Sequence, residues 1–393
     1  MNFALKTISL MFVICLTIVG CSQDPTSVGT KLISGTEKFS AHDTSITSIR
    51  DTTFKYVVPN WGGGNILVGN SSSVDATALL QFFTTIPESL TTVQIDTVLL
   101  SLTVNYTWNM GTGPSEFVIR RVSTPWSAGT VTADSLSKLI ITPTTSTSIT
   151  DKDTISIGHV VTALVDSSLV RKWINISADG SKSPFFSIAL VTKPGMTNVG
   201  IWGFSQFGTI APPSLKVHYS KNGVRDSIDM NSGSGTFFAT RTPFVPSGFI
   251  ETQAGVSIRS KINFDLNAIS DSVSRAIVNN ATMELTLNNE ASQLGAGTPD
   301  SVLALIGGSD ARPDSVSTAY FAYGYRSDPT QTTNSTYTFN VTSMAQQWIN
   351  NPSTYRGVVL RSVVDQSSVD RLVFYSSKDA TRAPKLSVTY TKK

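Results

Sequence analysis

A set of β-like segments occurs twice in this chain in the same order, and this repeat limits the folds available to it. The second copy runs from Phe339 to Tyr390 and contains FNVTSMAQQWIN, GVVLRSVV, DRLVFYSSK and APKLSVTY. The first copy, between Ile155 and Tyr219, contains ISIGHVVTALVDSSLVRKWIN, PFFSIALV, IWGFSQF and APPSLKVHY. The best-matched pairs are Phe82 with Phe264, Trp173 with Trp348, and Leu215 with Leu386. The separation within a pair shrinks slowly along the chain, as expected of a tandem duplication with unequal loops.

Alternation of apolar and polar residues predicts that both copies are built from β-strands. Val98 to Trp108 carries Leu100, Leu102 and Val104 on one face and Ser101 and Thr103 on the other. Ala281 to Asn288 repeats this pattern in the second half. A period of two places one face in a core and the other in water. The sequence therefore predicts an all-β protein made of two tandem antiparallel β-sandwiches.

One short helix is predicted in each copy. Val341, Met344, Ala345 and Trp348 have the i, i+3, i+4, i+7 spacing of an apolar helix stripe, and Pro352 would end the helix. In the first copy Val165, Leu169 and Trp173 take these places. We predict that both tryptophans close the end of a core, and the alternative is that they form platforms on which sugars stack.

The N-terminal residues resemble a bacterial lipoprotein signal. Ile8 to Val19 is an apolar run, shorter than the ~20 residues of a membrane span, and it ends in Ile18-Val19-Gly20-Cys21, which is similar to a lipobox. We predict a signal peptide over 1–20, a lipid-modified Cys21 and a flexible tether over 21–35, followed by sandwich modules over 36–221 and 222–393. The resemblance to Gram-negative lipoproteins implies that the non-acidic Ser22 favours sorting to the outer membrane, with the chain in the periplasm or at the surface. The alternative is an ordinary secretory signal in which Cys21 is incidental.

The charge of the chain argues against a polyanionic partner. Charged residues make up 15% of the sequence and the net charge is +3, whereas an average soluble chain has about 25% charged residues. Nucleic-acid binding requires a clustered basic face, and the sequence contains none.

The segment order resembles one family of exported proteins. LLQFF or KINFD, an alternating strand, a helix ending in WIN, a GVVL-like strand, FYSS and a closing P-x-L-x-V-x-Y are similar to the DNRLRE-type domains. These domains are jelly-roll-like β-sandwiches related in form to carbohydrate-binding modules. The resemblance covers most of residues 36–219 and 224–390. It implies two jelly-roll-like sandwiches with a binding role, and it carries over no individual binding residue.

Few residues suit catalysis or metal binding. The sequence contains no HExxH, GxSxG or P-loop motif, and Glu284 lies on the polar face of an alternating strand. We predict that the protein is not an enzyme and holds no cofactor. Structural calcium in the sandwich loops stays open as an alternative, although Asp151-Lys152-Asp153 places a cation between its carboxylates.

Aromatic residues outside the predicted core are the candidate ligand contacts. Trp61 adjoins the triple glycine at 62–64, and Phe321, Tyr323 and Tyr325 share one face of a strand. Aromatic faces suit the C–H surfaces of sugars. The sequence thus predicts a protein that binds polysaccharide or another cell-envelope polymer. The alternative is a structural or adhesive envelope protein that binds other proteins.

Overall fold

The structure is a computed structural model of the chain. It describes residues 40–56, 64–71, 74–82, 90–111, 115–139, 141–151, 156–179, 186–206, 212–243, 248–270, 276–296, 301–308, 316–327 and 335–392, and for β6 only the backbone. Among these residues no helix is long and apolar enough to cross a membrane.

Twenty strands make up most of the described chain. In the first half they are β1 (Ser40–Lys55), β2 (Asn65–Ser71), β3 (Val74–Phe82), β4 (Gln94–Trp108), β5 (Ser115–Val122), β6 (Ile141–Asp151), β7 (Val160–Val165), β8 (Phe186–Thr192), β9 (Gly200–Ser205) and β10 (Ser214–Lys221). In the second half they are β11 (Val224–Arg241), β12 (Ile250–Gln253), β13 (Ile258–Phe264), β14 (Ile277–Thr286), β15 (Ser301–Gly308), β16 (Val316–Arg326), β17 (Thr336–Asn340), β18 (Tyr355–Ser362), β19 (Arg371–Phe374) and β20 (Lys385–Lys392).

Two α-helices occupy matching places in the two halves. Helix α1 (Ser167–Ala178) follows β7, and helix α2 (Thr342–Asn350) follows β17. A single helical turn at Asn267–Ser270 and a 3₁₀ segment at Ala133–Lys138 complete the helical structure of the described residues.

The strands form two ten-stranded sheets whose pairings are antiparallel. One has the order β11-β10-β4-β9-β2-β3-β8-β5-β6, with β7 also on β4, and the other has the order β1-β20-β14-β17-β16-β15-β18-β13-β12-β19. Extra pairings of β11 with β3 and of β1 with β13 curl each sheet back on itself. The predicted all-β fold of antiparallel sandwiches, with a short helix in each half, is confirmed.

The first strand of each repeat belongs to the sheet of the other half. β1 pairs with β20 over Ser40–Thr47 and with β13 over Ser48–Lys55. β11 likewise pairs with β10 over Val224–Asn231 and with β3 over Ser232–Arg241. The N-terminal strand therefore completes the sheet that holds the C-terminal strand.

A tight hairpin joins β10 to β11. Its two loop residues, Asn222 and Gly223, have φ values of 51° and 81°, as a type I′ turn requires. The predicted boundary between 36–221 and 222–393 falls in this hairpin.

Each half has its own apolar core, and the alternating strands supply it. Leu100, Leu102 and Val104 of β4 are buried in the first core, and Ala281, Met283, Leu285 and Leu287 lie in the second. The helix stripes are buried as predicted. Trp173 is fully buried and packs against Phe82 and Phe186, with ring centroids 6.2 and 5.4 Å away. The predicted core position of both tryptophans is confirmed, since Trp348 is only 3% exposed.

A third apolar cluster joins the halves. Tyr106 and Trp108 of β4 pack there with Val256, Ile258 and Val369 of the second half. The Tyr106 hydroxyl donates to Asp370 Oδ1 at 2.9 Å and accepts from the Val369 amide at 3.1 Å. The halves are therefore tied by both apolar packing and buried hydrogen bonds.

Candidate ligand-binding face

Three aromatic side chains stand in a row on the outer face of β16. Phe321, Tyr323 and Tyr325 are 52%, 46% and 61% exposed, while the alternating residues Ala322 and Gly324 face the core and are buried. A strand places every second side chain on the same face, so the row follows directly from the AYFAYGYR sequence. We call these three residues the aromatic stripe.

The rings of the stripe contact one another. Phe321 and Tyr323 have ring centroids 5.7 Å apart at an interplanar angle of 81°, and Tyr323 and Tyr325 are 6.4 Å apart at 32°. Both distances lie in the 4.5–7 Å range typical of aromatic pairs. The stripe is therefore a continuous apolar surface.

Buried leucines support the stripe from the neighbouring strand. Phe321 lies opposite Leu305 and Tyr323 opposite Leu303 of β15, and both leucines are buried. Residues directly opposite each other on antiparallel strands share a face and touch through their side chains. Phe321 and Tyr323 thus each have a buried apolar neighbour on one side, whereas Tyr325 lies opposite Ser301.

Polar residues continue this face beyond the stripe. Tyr325 lies opposite Thr338 of β17, which lies opposite Glu284 of β14. Thr338, Asn340 and Glu284 are exposed. An apolar surface edged by hydroxyl, amide and carboxylate groups results.

Arg326, the cation that follows the stripe in sequence, does not join it. It alternates to the opposite face of β16, where its Nη2 donates to Ser335 Oγ at 2.7 Å. The stripe also has no aromatic counterpart in the first half. There β6 follows β5 as β16 follows β15, and its sequence, ITPTTSTSITD, contains no aromatic residue.

The other candidate residues from the sequence lie wholly or partly outside the described part of the chain. Trp61, the second candidate ligand contact, and Cys21, the predicted lipid attachment site, are both outside it. Of the calcium candidate, only Asp151, the last residue of β6, is described, and Lys152 and Asp153 are not. Within the described ranges, no group of three His, Cys, Asp or Glu side chains is placed to hold a metal ion. Glu284 is exposed, in the position expected of a solvated charge on a strand.

A buried carboxylate that the sequence analysis did not single out lies between the sheets. Glu251 of β12 is fully buried and forms ion pairs with Arg241 of β11 and, at 2.8 Å from Oε1 to Nε, with Arg371 of β19. A substrate cannot reach a carboxylate with no exposed surface, and removing one partner of a buried ion pair is strongly destabilising. This cluster therefore holds β11 against the second sheet.

A cleft at the end of the second sandwich was also missed by the sequence analysis. It lies beside α2 and has a volume of about 220 Å³. Its residues come from β1, β13, the helical turn after β13, α2 and the start of β18, so only the folded chain brings them together.

The chain matches no protein-family model and no curated protein sequence.

Proposed function

We propose that this protein is a lipid-anchored, exported and non-catalytic binding protein whose aromatic stripe holds a polysaccharide or another cell-envelope polymer. The observation that carries the proposal is the exposure of three adjacent aromatic rings on one strand. Monomeric soluble proteins rarely leave large contiguous apolar patches in water, and such patches commonly mark binding surfaces.

The form of the stripe favours an extended polymer as the ligand. Phe321 and Tyr325 are four residues apart, which corresponds to roughly 13 Å along a strand at ~3.3 Å per residue. Rings stepped along such a line offer successive apolar faces to a linear chain. Thr338, Asn340 and Glu284 lie beside them with groups that can hydrogen-bond to hydroxyls. The apolar rings would provide contact area, and the polar groups would fix orientation.

The duplication has a separate physical use in such a protein. The second half carries the stripe, whereas β6 of the first half is rich in Ser and Thr. The predicted role of Trp61 would give the first half a contact of a different kind. Two weak contacts on one chain raise the effective affinity for a repeating ligand.

The proposed anchor is the lipid on Cys21, and the proposed location is the outer membrane, in the periplasm or at the surface. Support comes from the Ile18-Val19-Gly20-Cys21 sequence. Two or more acyl chains hold a protein durably at a bilayer. A Cys21→Ser variant that still partitions with membranes would contradict this part of the proposal.

A protein partner is the second candidate for the stripe, because Tyr side chains are enriched at protein–protein interfaces. The structural or adhesive role predicted as the alternative would use the same rings. The two candidates differ in whether purified glycans bind.

The experiment is a glycan array probed with the mature chain, followed by titration of the best polysaccharide. We expect Tyr323→Ala to weaken binding at least about tenfold, which corresponds to ~1.4 kcal/mol, because it removes the central ring. Tyr323→Phe keeps the ring and should bind as the wild type does. Leu164→Ala, which truncates a 58% exposed side chain on β7, is the matched control in the first half.

Three results would count against the proposal. Absence of glycan binding at high protein concentration would exclude the polysaccharide function and favour a protein partner. Equal losses in Tyr323→Ala and Leu164→Ala would remove the stripe from the site. Release of shortened glycans on prolonged incubation would indicate a hydrolase.

A further inference from the structure

The cleft beside α2 has an aromatic wall and a polar rim. Tyr355 lines the cleft and is half-buried. Phe264 and Trp348, with ring centroids 6.5 Å apart, lie beneath it and are only 8% and 3% exposed. Asp265 and Arg356 stand at the rim and are exposed. A surface of this composition can pack against an apolar face and hydrogen-bond to groups around it.

In the first half the matching space is filled by an aromatic ring. Phe186 lies opposite Phe82 on the neighbouring strand. Its ring packs on Trp173 with centroids 5.4 Å apart, and the ring of Phe82 covers the same tryptophan at 6.2 Å. Trp173 therefore has two aromatic neighbours.

In the second half an arginine takes the place of that ring. Val358 lies opposite Ile262, two residues before Phe264, just as Ile188 lies opposite Leu80 in the first half. Counting back two residues from Val358 reaches Arg356, the counterpart of Phe186. Because the Arg356 side chain is exposed, no ring fills the place that Phe186 occupies in the first half.

A glycine next to this arginine helps to hold the cleft open. Gly357 has a φ of 65°, a conformation that side chains with a Cβ rarely adopt. A Cβ there would collide with the Ile262 carbonyl oxygen and lie 2.6 Å from Asn263 Oδ1. Asn263 lines the cleft, and its Oδ1 is buried and has no hydrogen-bond partner among the described residues.

The rim groups are free to bind a ligand. Among the described residues, the Arg356 guanidinium makes one long contact, from Nε to the Pro352 carbonyl oxygen at 3.4 Å. Within the same part of the chain, Asp265 accepts one hydrogen bond, from the Asn267 amide at 3.0 Å. One cation and one anion leave the lining without net charge, so a neutral ligand with several hydroxyl groups fits it better than an ion does.

The size of the cleft restricts the ligand further. About 220 Å³ is less than the ~300–1,000 Å³ of pockets for drug-sized ligands, so the cleft accommodates one small unit. The cleft is separate from the stripe, because Tyr355 packs edge-on against Tyr320, at 6.2 Å between centroids, and Tyr320 packs against the core.

We infer that the cleft binds a single neutral sugar residue, at a site separate from the stripe. The ring of Tyr355 would contact the sugar, and Arg356 and Asp265 would hydrogen-bond to its hydroxyls. The assignment to a sugar rests on the proposed polysaccharide function, whereas the cleft and its lining do not.

The test is saturation-transfer-difference NMR of the mature chain with glucose, galactose, mannose, xylose, rhamnose and N-acetylglucosamine in turn. At least one of these sugars should receive saturation from the wild type. Arg356→Phe places in the cleft the ring that Phe186 provides in the first half, and it should abolish the transfer. Asp265→Ala should reduce it severalfold, and Tyr323→Ala should leave it unchanged because the stripe is a separate surface.

Two results would overturn the inference. One is no transfer to any of the six sugars from the wild type, and the other is transfer that survives in Arg356→Phe. A thermal melt shows whether that variant is folded, and if it is not, undiminished transfer in Asp265→Ala overturns the inference instead. Failure of the polysaccharide proposal looks different, since the array would then show no polymer binding whether or not a monosaccharide binds in the cleft.

Discussion

Removing the hydroxyl of Tyr106 tests whether buried hydrogen bonds couple the two halves. The ring is fully buried among residues of both halves, so Tyr106→Phe keeps the packing and removes only the hydrogen bonds to Asp370 and Val369. A hydrogen bond to a charged group contributes about 1.5–3 kcal/mol, and a buried amide without a partner costs about 1–3 kcal/mol. Asp370 retains the Gly295 amide, which donates to Oδ1 at 2.7 Å. We therefore expect a loss of about 3 kcal/mol rather than the full sum of these costs.

Tyr337 provides a matched control. It is also fully buried, but its hydroxyl has no hydrogen-bond partner in the part of the chain that the structure describes, so Tyr337→Phe should be neutral or slightly stabilising. The assay is urea unfolding of the mature chain followed by tryptophan fluorescence. With a slope of about 3 kcal/mol per molar urea, Tyr106→Phe should lower the midpoint by about 1 M. Equal midpoints for the two variants would refute the role assigned to the hydroxyl.

Two further predictions concern the second half. Burial raises the pKa of Asp365 to about 6, against the lowering effect of Arg259 and Arg361. Because this exceeds the ~3.9 of an unfolded aspartate, stability contributed by this group is present at low pH and is lost as the pH rises from about 4 to 6. The stability of the wild type relative to Asp365→Asn, measured by urea unfolding at several pH values, should fall over that range and then level off; a flat difference would contradict the raised pKa. Separately, a Cβ on Gly324 would collide with the buried ring of Phe339, so Gly324→Ala should cost about 1–3 kcal/mol through overpacking. Gly129→Ala, where no atom lies within 4 Å of the new Cβ, should melt as the wild type does, and a similar melt for Gly324→Ala would disprove the clash.

Local patterns in the sequence were sufficient to predict the strands and the two helices that form the cores. The period-two runs at 98–108 and 281–288 gave β4 and β14, and the 3.6-residue spacing of Met344, Ala345 and Trp348 gave α2. Such patterns depend only on which residues must be buried within one element. The position of Phe321, Tyr323 and Tyr325 on a single face followed from the same rule.

Other features of the candidate site depended on contacts between distant segments. Exposure of the stripe was not decided by the alternation, because a strand can bury either face. It depended on which side of β16 the second core occupies. The cleft needed even more distant information, since Ile49, Phe264, Trp348 and Arg356 come from four separate segments. The one sequence signal for it was the arginine that stands where the first copy has Phe186.

The sequence by itself determined that this chain is a pair of β-sandwich repeats. The alternation of apolar and polar residues and the repeat can both be recognised within short segments. Only the tertiary structure decided how the repeats are joined. Asn222-Gly223 turns β10 directly into β11, so the first strand of the second repeat completes the first sheet. β20 and β13 then have open edges, and the backbone hydrogen bonds along those edges are satisfied by β1 from the other end of the chain. The pairing of β1 with β20 joins strands more than 300 residues apart. It depends on which strand edges are free in the folded protein, and no local sequence pattern predicts it.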